Sequence, residues 1–192
     1  MTPVEFRRHL HRHPELSFRE TESARFIAEA LREAGIPCRP IAGTGVLAKI
    51  EGRGDLRRAV VLRADIDALP IREQSGAAWS SENDGVMHAC GHDIHAAVLY
   101  GTLLRLSAER NFEGTLFGIF QPGEESNPGG ASKVLAENPF EGNKVLAVVG
   151  KHVDHALVAG ARASTWPPTT NCASRSKARA ATRPCVPNTA TR

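Results

Sequence analysis

Histidine, cysteine and carboxylate side chains collect in four short stretches of this sequence: Asp65 with Asp67, the run His88-Ala89-Cys90-Gly91-His92-Asp93-Ile94-His95, Glu124 with Glu125, and His152 with Asp154. Taken singly, each has an ordinary structural explanation. A lone Cys90 is more often a small buried hydrophobe than a ligand, and a lone His92 or His95 is more often a surface or helix-capping residue. Asp65 and Asp67 can simply close a turn, and adjacent glutamates are usually a solvated pair. Convergence carries the argument, because thiolate, imidazole and carboxylate together form a set that a borderline cation such as zinc accepts. In the Glu124-Glu125 pair, one carboxylate can bind the ion while its neighbour takes a proton from the attacking water and returns it to a leaving amine. Such metal-assisted hydrolysis needs no serine or cysteine nucleophile, which leaves Cys90 as a ligand. Asp65 or Asp67 can then orient a ligand from behind, a role that carboxylates often fill.

The elements that must position these groups can be read from the pattern around them. Thr2-Pro3-Val4-Glu5 is a capping box with proline at the first helical position, and the helix it opens must end by His13, because Pro14 follows. Ser17-Phe18-Arg19-Glu20 reads as a second capping box, opening a helix with the apolar face Ala24, Ile27, Leu31 and Ala34 and a stop at Gly35. After Pro37 the pattern changes to short β-branched runs at 46–50, 59–62, 115–120 and 145–149, which predict buried strands, with helices expected over 95–109 and 131–137. Strands and helices alternate, so the expected architecture is a layered α/β sheet with helices on both faces. In such sheets ligands gather beyond the carboxyl ends of the strands, and three of the four reactive stretches directly follow a predicted strand.

The chain has 192 residues, 24 Lys and Arg against 21 Asp and Glu, and 41% apolar residues, which suits a soluble domain. No window has the ~18 consecutive apolar residues of a membrane span, and the N-terminus lacks the apolar run of a secretory signal, so a cytoplasmic address is expected. Four cysteines at 38, 90, 172 and 185 form neither a disulfide scaffold nor a C-x-x-C pair. Residues 161–192 carry six basic and no acidic residues, four prolines, and no Leu, Ile or Phe. That segment cannot offset its ordering entropy with buried surface and is expected to be disordered. A nucleic-acid-binding arm is disfavoured there, since it has one aromatic residue, Trp166, and no clustered basic run.

The segments Leu10–Ser17, Leu62–Pro70, Met87–His95, Gln121–Glu125 and Lys151–Asp154 occur in one order over roughly residues 5–157. In them the chain resembles the metal-dependent amidohydrolases of the M20 peptidase family, in the branch that includes hippurate hydrolases and auxin-conjugate hydrolases. The resemblance implies a zinc-exopeptidase-like three-layer sandwich on a mixed, mainly parallel sheet, incomplete on its carboxy-terminal side, with residues 1–160 forming the amino-terminal part of the catalytic domain. It also implies a site for two divalent ions (manganese, zinc, cobalt or nickel), with Cys90, His92, Glu125 and His152 as ligands and Glu124 as general base. Asp67 matches the aspartate behind a ligand, and Asp65 stands where other branches have histidine. The implied substrates are N-acyl amino acids. Members of the family continue into a lid and dimerisation domain and a further histidine ligand, whereas this sequence has no histidine after His155. Weak activity is therefore expected, and the competing reading is a non-catalytic metal-binding or interaction fragment. The match to the family and the composition break together near residue 160, which suggests that the tail is read out of frame.

Overall fold

A computed structural model of the protein describes residues 1–153, so the expectations for Asp154 and for the 161–192 tail lie outside the described residues. Helix α1 (Pro3–Arg12) begins at the capping box expected for it: Thr2 Oγ1 accepts from the Glu5 amide and the Glu5 carboxylate accepts from the Thr2 amide, and His13 ends the helix. Helix α2 (Thr21–Glu33) corrects the second expectation. Ser17 does not cap it; two of its free N-terminal amides, at Glu22 and Ser23, are instead satisfied by the Glu15 carboxylate. Ala34 is exposed at the end of α2, and the buried face is Ser23, Ile27, Ala30 and Leu31. Gly35 does provide the stop, at φ +69°, where the amides of Gly35 and Ile36 close back onto Arg32 and Leu31.

Five strands follow: β1 (Cys38–Ile41), β2 (Gly45–Glu51), β3 (Arg58–Asp65), β4 (Thr115–Gln121) and β5 (Lys144–Gly150), with helix α3 (His92–Glu109) between β3 and β4 and α4 (Gly130–Ala136) between β4 and β5. Strand β1 was not expected; Pro40 and two exposed positions conceal it in the pattern, as is common for an edge strand. The sheet order is β1-β2-β4-β3-β5, in which β2 alone runs against the other four, so the sheet is mixed and mainly parallel. Strand β4 lies at its centre and is buried along its whole length.

Helices α1, α2 and α3 cover one face. Their core joins Phe6, Leu10, Ile27, Leu31, Tyr100 and Leu103 to Val46, Ala48, Leu116 and Phe120 of the sheet, with the Phe6 and Tyr100 rings stacked 4.3 Å apart. On the other face α4 contributes Val134 to a smaller cluster with Ile41, Leu47, Val61, Phe117 and Ile119. The three layers follow from these two clusters. Helix α3 starts at His92 rather than at His95, because Gly91 at φ +87° turns the chain directly into the first helical residue. No helix among the described residues is long and apolar enough to cross a membrane.

Candidate metal centre

The carboxyl ends of β3, β4 and β5 lie on one edge of the sheet because these strands are parallel and adjacent, and the first turn of α3 meets them there. Asp65 closes β3, and the chain after it is stitched to two other segments: Ala68 bridges Leu16, and Leu69 exchanges both backbone hydrogen bonds with Met87. The second stitch brings the His88–His95 run beside Asp65 and Asp67.

His92 is the hub of the site and is buried. Its Nδ1 lies 2.8 Å from the Asp67 backbone carbonyl and 3.2 Å from Asp67 Oδ1. A carbonyl can only accept, so Nδ1 carries a proton and Nε2 is left facing the open side. Nε2 has no hydrogen-bond partner among the described residues, and it looks onto Asp65 Oδ2 at 3.8 Å, Glu125 Oε1 at 3.7 Å and Glu124 Oε2 at 4.0 Å. Across the site, Cys90 Sγ and His152 Nε2 are 3.3 Å apart. Three overlapping groups have ligand atoms mutually within 4.8 Å: Cys90 with His92 and His152, His92 with Glu124 and Glu125, and Asp65 with His92 and His95. The structure thus brings Asp65, Cys90, His92, His95, Glu124, Glu125 and His152 together, with Asp67 behind His92, whereas His88 and Asp93 of the same run lie outside these groups.

Electrostatics explain what this cluster wants. Burial alone would raise the Asp65 carboxyl, but the hydrogen bond from His95 and the charges of Arg63, His92 and His95 hold it down at about 2. Asp67 is also lowered against the pull of burial, by His92, by the Glu125 amide and by Ser17. Burial, reinforced by the negative charges of Asp65 and Glu125, raises Glu124. Burial and the neighbouring carboxylates, Glu125 foremost, push the Cys90 thiol up to about 12. His92 would be lowered by burial, yet Asp67, Asp65 and Glu124 raise it. Carboxylates, a thiol and an aimed imidazole nitrogen packed this closely outnumber the one guanidinium beside them, Arg63, and a divalent cation is a group that meets all of them at once. The orphaned His92 Nε2 and the facing donors fit such an ion.

Several residues that hold the site stand in sequence motifs but were not assigned that role from the sequence. Ser17 Oγ donates to Asp67 Oδ2 at 2.7 Å, and the Glu125 amide donates to the same oxygen at 2.9 Å. Glu20 is fully buried; its carboxylate accepts from the Gly123 amide at 2.7 Å and from the Thr44 hydroxyl. Gly123, at φ +59°, has no Cβ because the Phe18 ring occupies that space. The segment read as a capping box therefore clamps the Glu124-Glu125 loop. Arg63 Nη1 pairs with Asp65 at 2.8 Å. Beneath the site, His11 bridges Asp93 at 2.8 Å and Glu73 at 3.2 Å. His88 lies apart from the ligand cluster, with both ring nitrogens buried and without hydrogen-bond partners among the described residues, and burial drives it to about 4. Such motif positions are legible as a string, but which of them holds which depends mostly on contacts 50 or more residues apart.

The profile of peptidase family M20/M25/M40 matches residues 61–165. N-acetyl-L-cysteine deacetylase of Bacillus subtilis (strain 168) is 45% identical over 151 residues, which is 78% of this chain and 35% of that protein. N-acyl-L-amino acid amidohydrolase of Geobacillus stearothermophilus is 42% identical over 159 residues, covering 82% of this chain and 42% of that one. Among solved structures, the Bacillus subtilis YXEP protein, described as a dinuclear metal binding peptidase from the M20 family, superposes with a TM-score of 0.76 at 44% identity over 81% of this chain and 43% of its own. The chain spans less than half the length of each of these relatives.

Proposed function

From the premise that this chain belongs to peptidase family M20/M25/M40, we propose that it carries the amino-terminal part of a metal-dependent amidohydrolase that cleaves N-acyl amino acids, hippurate-like compounds among them, to a carboxylic acid and a free amino acid. The observation that carries this reading is His92, its Nδ1 proton committed to Asp67 and its Nε2, without a hydrogen-bond partner among the described residues, facing Asp65, Glu124 and Glu125. In this reading Cys90, His92, Glu125 and His152 hold two divalent ions of the zinc, manganese, cobalt or nickel type. Bound ions would supply a water acidic enough to attack near neutral pH and would polarise the amide carbonyl.

The chain's own residues do the rest. Glu124, raised first by burial and then by Asp65 and Glu125, is suited to take a proton at neutral pH. It receives one proton from the attacking water as the new C–O bond forms and delivers it to the amide nitrogen as the C–N bond breaks, so that water and amide balance carboxylic acid and amine. Asp67 fixes the His92 tautomer and, through the Glu125 amide, the glutamate loop. Ligation by Cys90 requires the thiolate, and a bound cation would favour it against the burial and carboxylates that raise the thiol.

Paired variants test the roles. Glu124→Gln should keep the metal content and lower hydrolysis of N-acyl amino acids by ~10²–10⁴-fold, while Glu125→Ala should lose both. Unchanged hydrolysis at equal metal content in Glu124→Gln removes the base assignment. The competing reading is metal binding by this cluster without turnover. Full metal stoichiometry with no hydrolysis in the unmodified chain selects it.

A further inference from the structure

His95 belongs by composition to the ligand cluster, with atoms of Asp65 and His92 close enough to share an ion. Its hydrogen bonds say otherwise. The Val153 amide donates to His95 Nε2 at 2.9 Å, so that nitrogen spends its lone pair on an N–H and carries no proton. The ring proton is therefore on Nδ1, 2.6 Å from Asp65 Oδ1, to which it donates. Both ring nitrogens of this buried imidazole are used, and neither is left to bind a metal.

The same residue is also engaged at its carbonyl. His152 Nδ1 lies 2.6 Å from the Val153 carbonyl, an acceptor, so His152 is also protonated at Nδ1 and turns Nε2 toward Cys90 Sγ. Val153 is seated over Gly91, where a Cβ would come within 2.6 Å of its Cγ2. An unbroken series of contacts thus runs from Arg63 and Asp65 through His95 and Val153 to the His152 ring.

We propose that His95 is a positioning residue and not a metal ligand: it holds the Val153 backbone through its amide, and the carbonyl of the same residue fixes the tautomer and aim of His152 opposite Cys90. The assignment rests on the metal-centre reading for its purpose, though not for its geometry. Anchors behind a ligating histidine are typically worth ~10–100-fold in metal affinity. The consequence is specific, because His95 acts only through His152.

Two measurements on the full chain test this. In the metal-free protein, exchange of the Val153 amide is followed by NMR in the unmodified chain, His95→Ala and His95→Gln. Protection is expected in the unmodified chain, loss in His95→Ala, and retention in His95→Gln, whose amide oxygen can reach the Nε2 position. An unprotected Val153 in the unmodified chain, or full protection in His95→Ala, overturns the proposal whether or not metal binds. Zinc titration then compares these proteins with His152→Ala and with His95→Ala/His152→Ala. The expected result is an unchanged number of ions in His95→Ala, affinity lower by ~10–100-fold, recovery in His95→Gln, and no further loss when His95→Ala is added to His152→Ala. Loss of a whole ion in His95→Ala, or additive losses in the double variant, makes His95 a ligand. An unmodified chain that binds no zinc defeats the metal-centre reading and leaves the amide measurement to decide the positioning role.

Discussion

Val61 and Val148 are the same residue type, directly opposite each other on the neighbouring parallel strands β3 and β5, yet Val61 is fully buried and Val148 is 64% exposed. The contrast extends to the strands that carry them. Strand β3 is flanked by β4 and β5 and contributes to both core clusters, while β5 pairs only with β3 among the described strands and also exposes Leu146 and Val149. Backbone pairing alone therefore does not make a strand part of the core; covering layers do. The candidate site straddles this difference. Asp65, Asp67 and His92 grow from the packed region, whereas His152 hangs from the exposed strand and needs its own tether.

If the packed region sets the stability, substitutions there should dominate. Phe6→Ala removes a fully buried ring stacked on Tyr100 and should cost ~3–5 kcal/mol in denaturant unfolding. Val61→Ala deletes two buried methyl groups at ~0.8 kcal/mol each, plus a cavity term, for a total of about 2 kcal/mol. Val148→Ala, the matched change on β5, should stay within ~0.5 kcal/mol. Equal losses at Val61 and Val148 would erase the distinction.

A pH experiment on the metal-free chain sharpens it between these last two effects. His11 on α1 is raised above 6.5, first by its hydrogen bond to Asp93 and further by Glu73, against burial and the charge of Arg7; the His88 ring stands 6.3 Å away. A raised folded value means that the native state holds the proton more tightly than the unfolded chain. The stabilisation is complete below the unfolded value near 6.5 and disappears as pH rises through the folded value. Subtracting the pH profile of His11→Gln from that of the unmodified chain should show this loss on the alkaline side of pH 6.5. A flat difference, or one lost toward acid, would deny His11 a role in joining α1 to α3.

Much of the architecture was legible because it is written locally. The Thr2–Glu5 capping box and the Gly35 stop act through neighbours within a few residues, and the β-branched runs announce strands by their own composition although their partners lie far away in sequence. The failures share a cause. Ser17 looks like a cap until Asp67, 50 residues away, takes its hydroxyl, and the cap of α2 comes from Glu15 instead. Strand β1 needs its antiparallel partner β2 to be recognisable. At the site, residue types announced a metal cluster, but they gave no means of telling a ligand from its support. His92 and His95 lie one turn apart on the same helix, and only their hydrogen bonds distinguish an available Nε2 from a committed one.

The parallel pairing of β3 with β4 has a consequence for synthesis. Asp65 is matched in register with Gln121, so the central strand pair cannot close until more than fifty further residues have left the ribosome. At ~5–20 residues per second that is an interval of several seconds. Through it the segments around Asp67 and His92 exist without the strand that seats them, and the Glu125 amide that anchors Asp67 arrives last of that set. Assembly of the proposed cation site is thus a late event in the life of each nascent chain, and release of any bound ion on unfolding would report on the most non-local part of the fold.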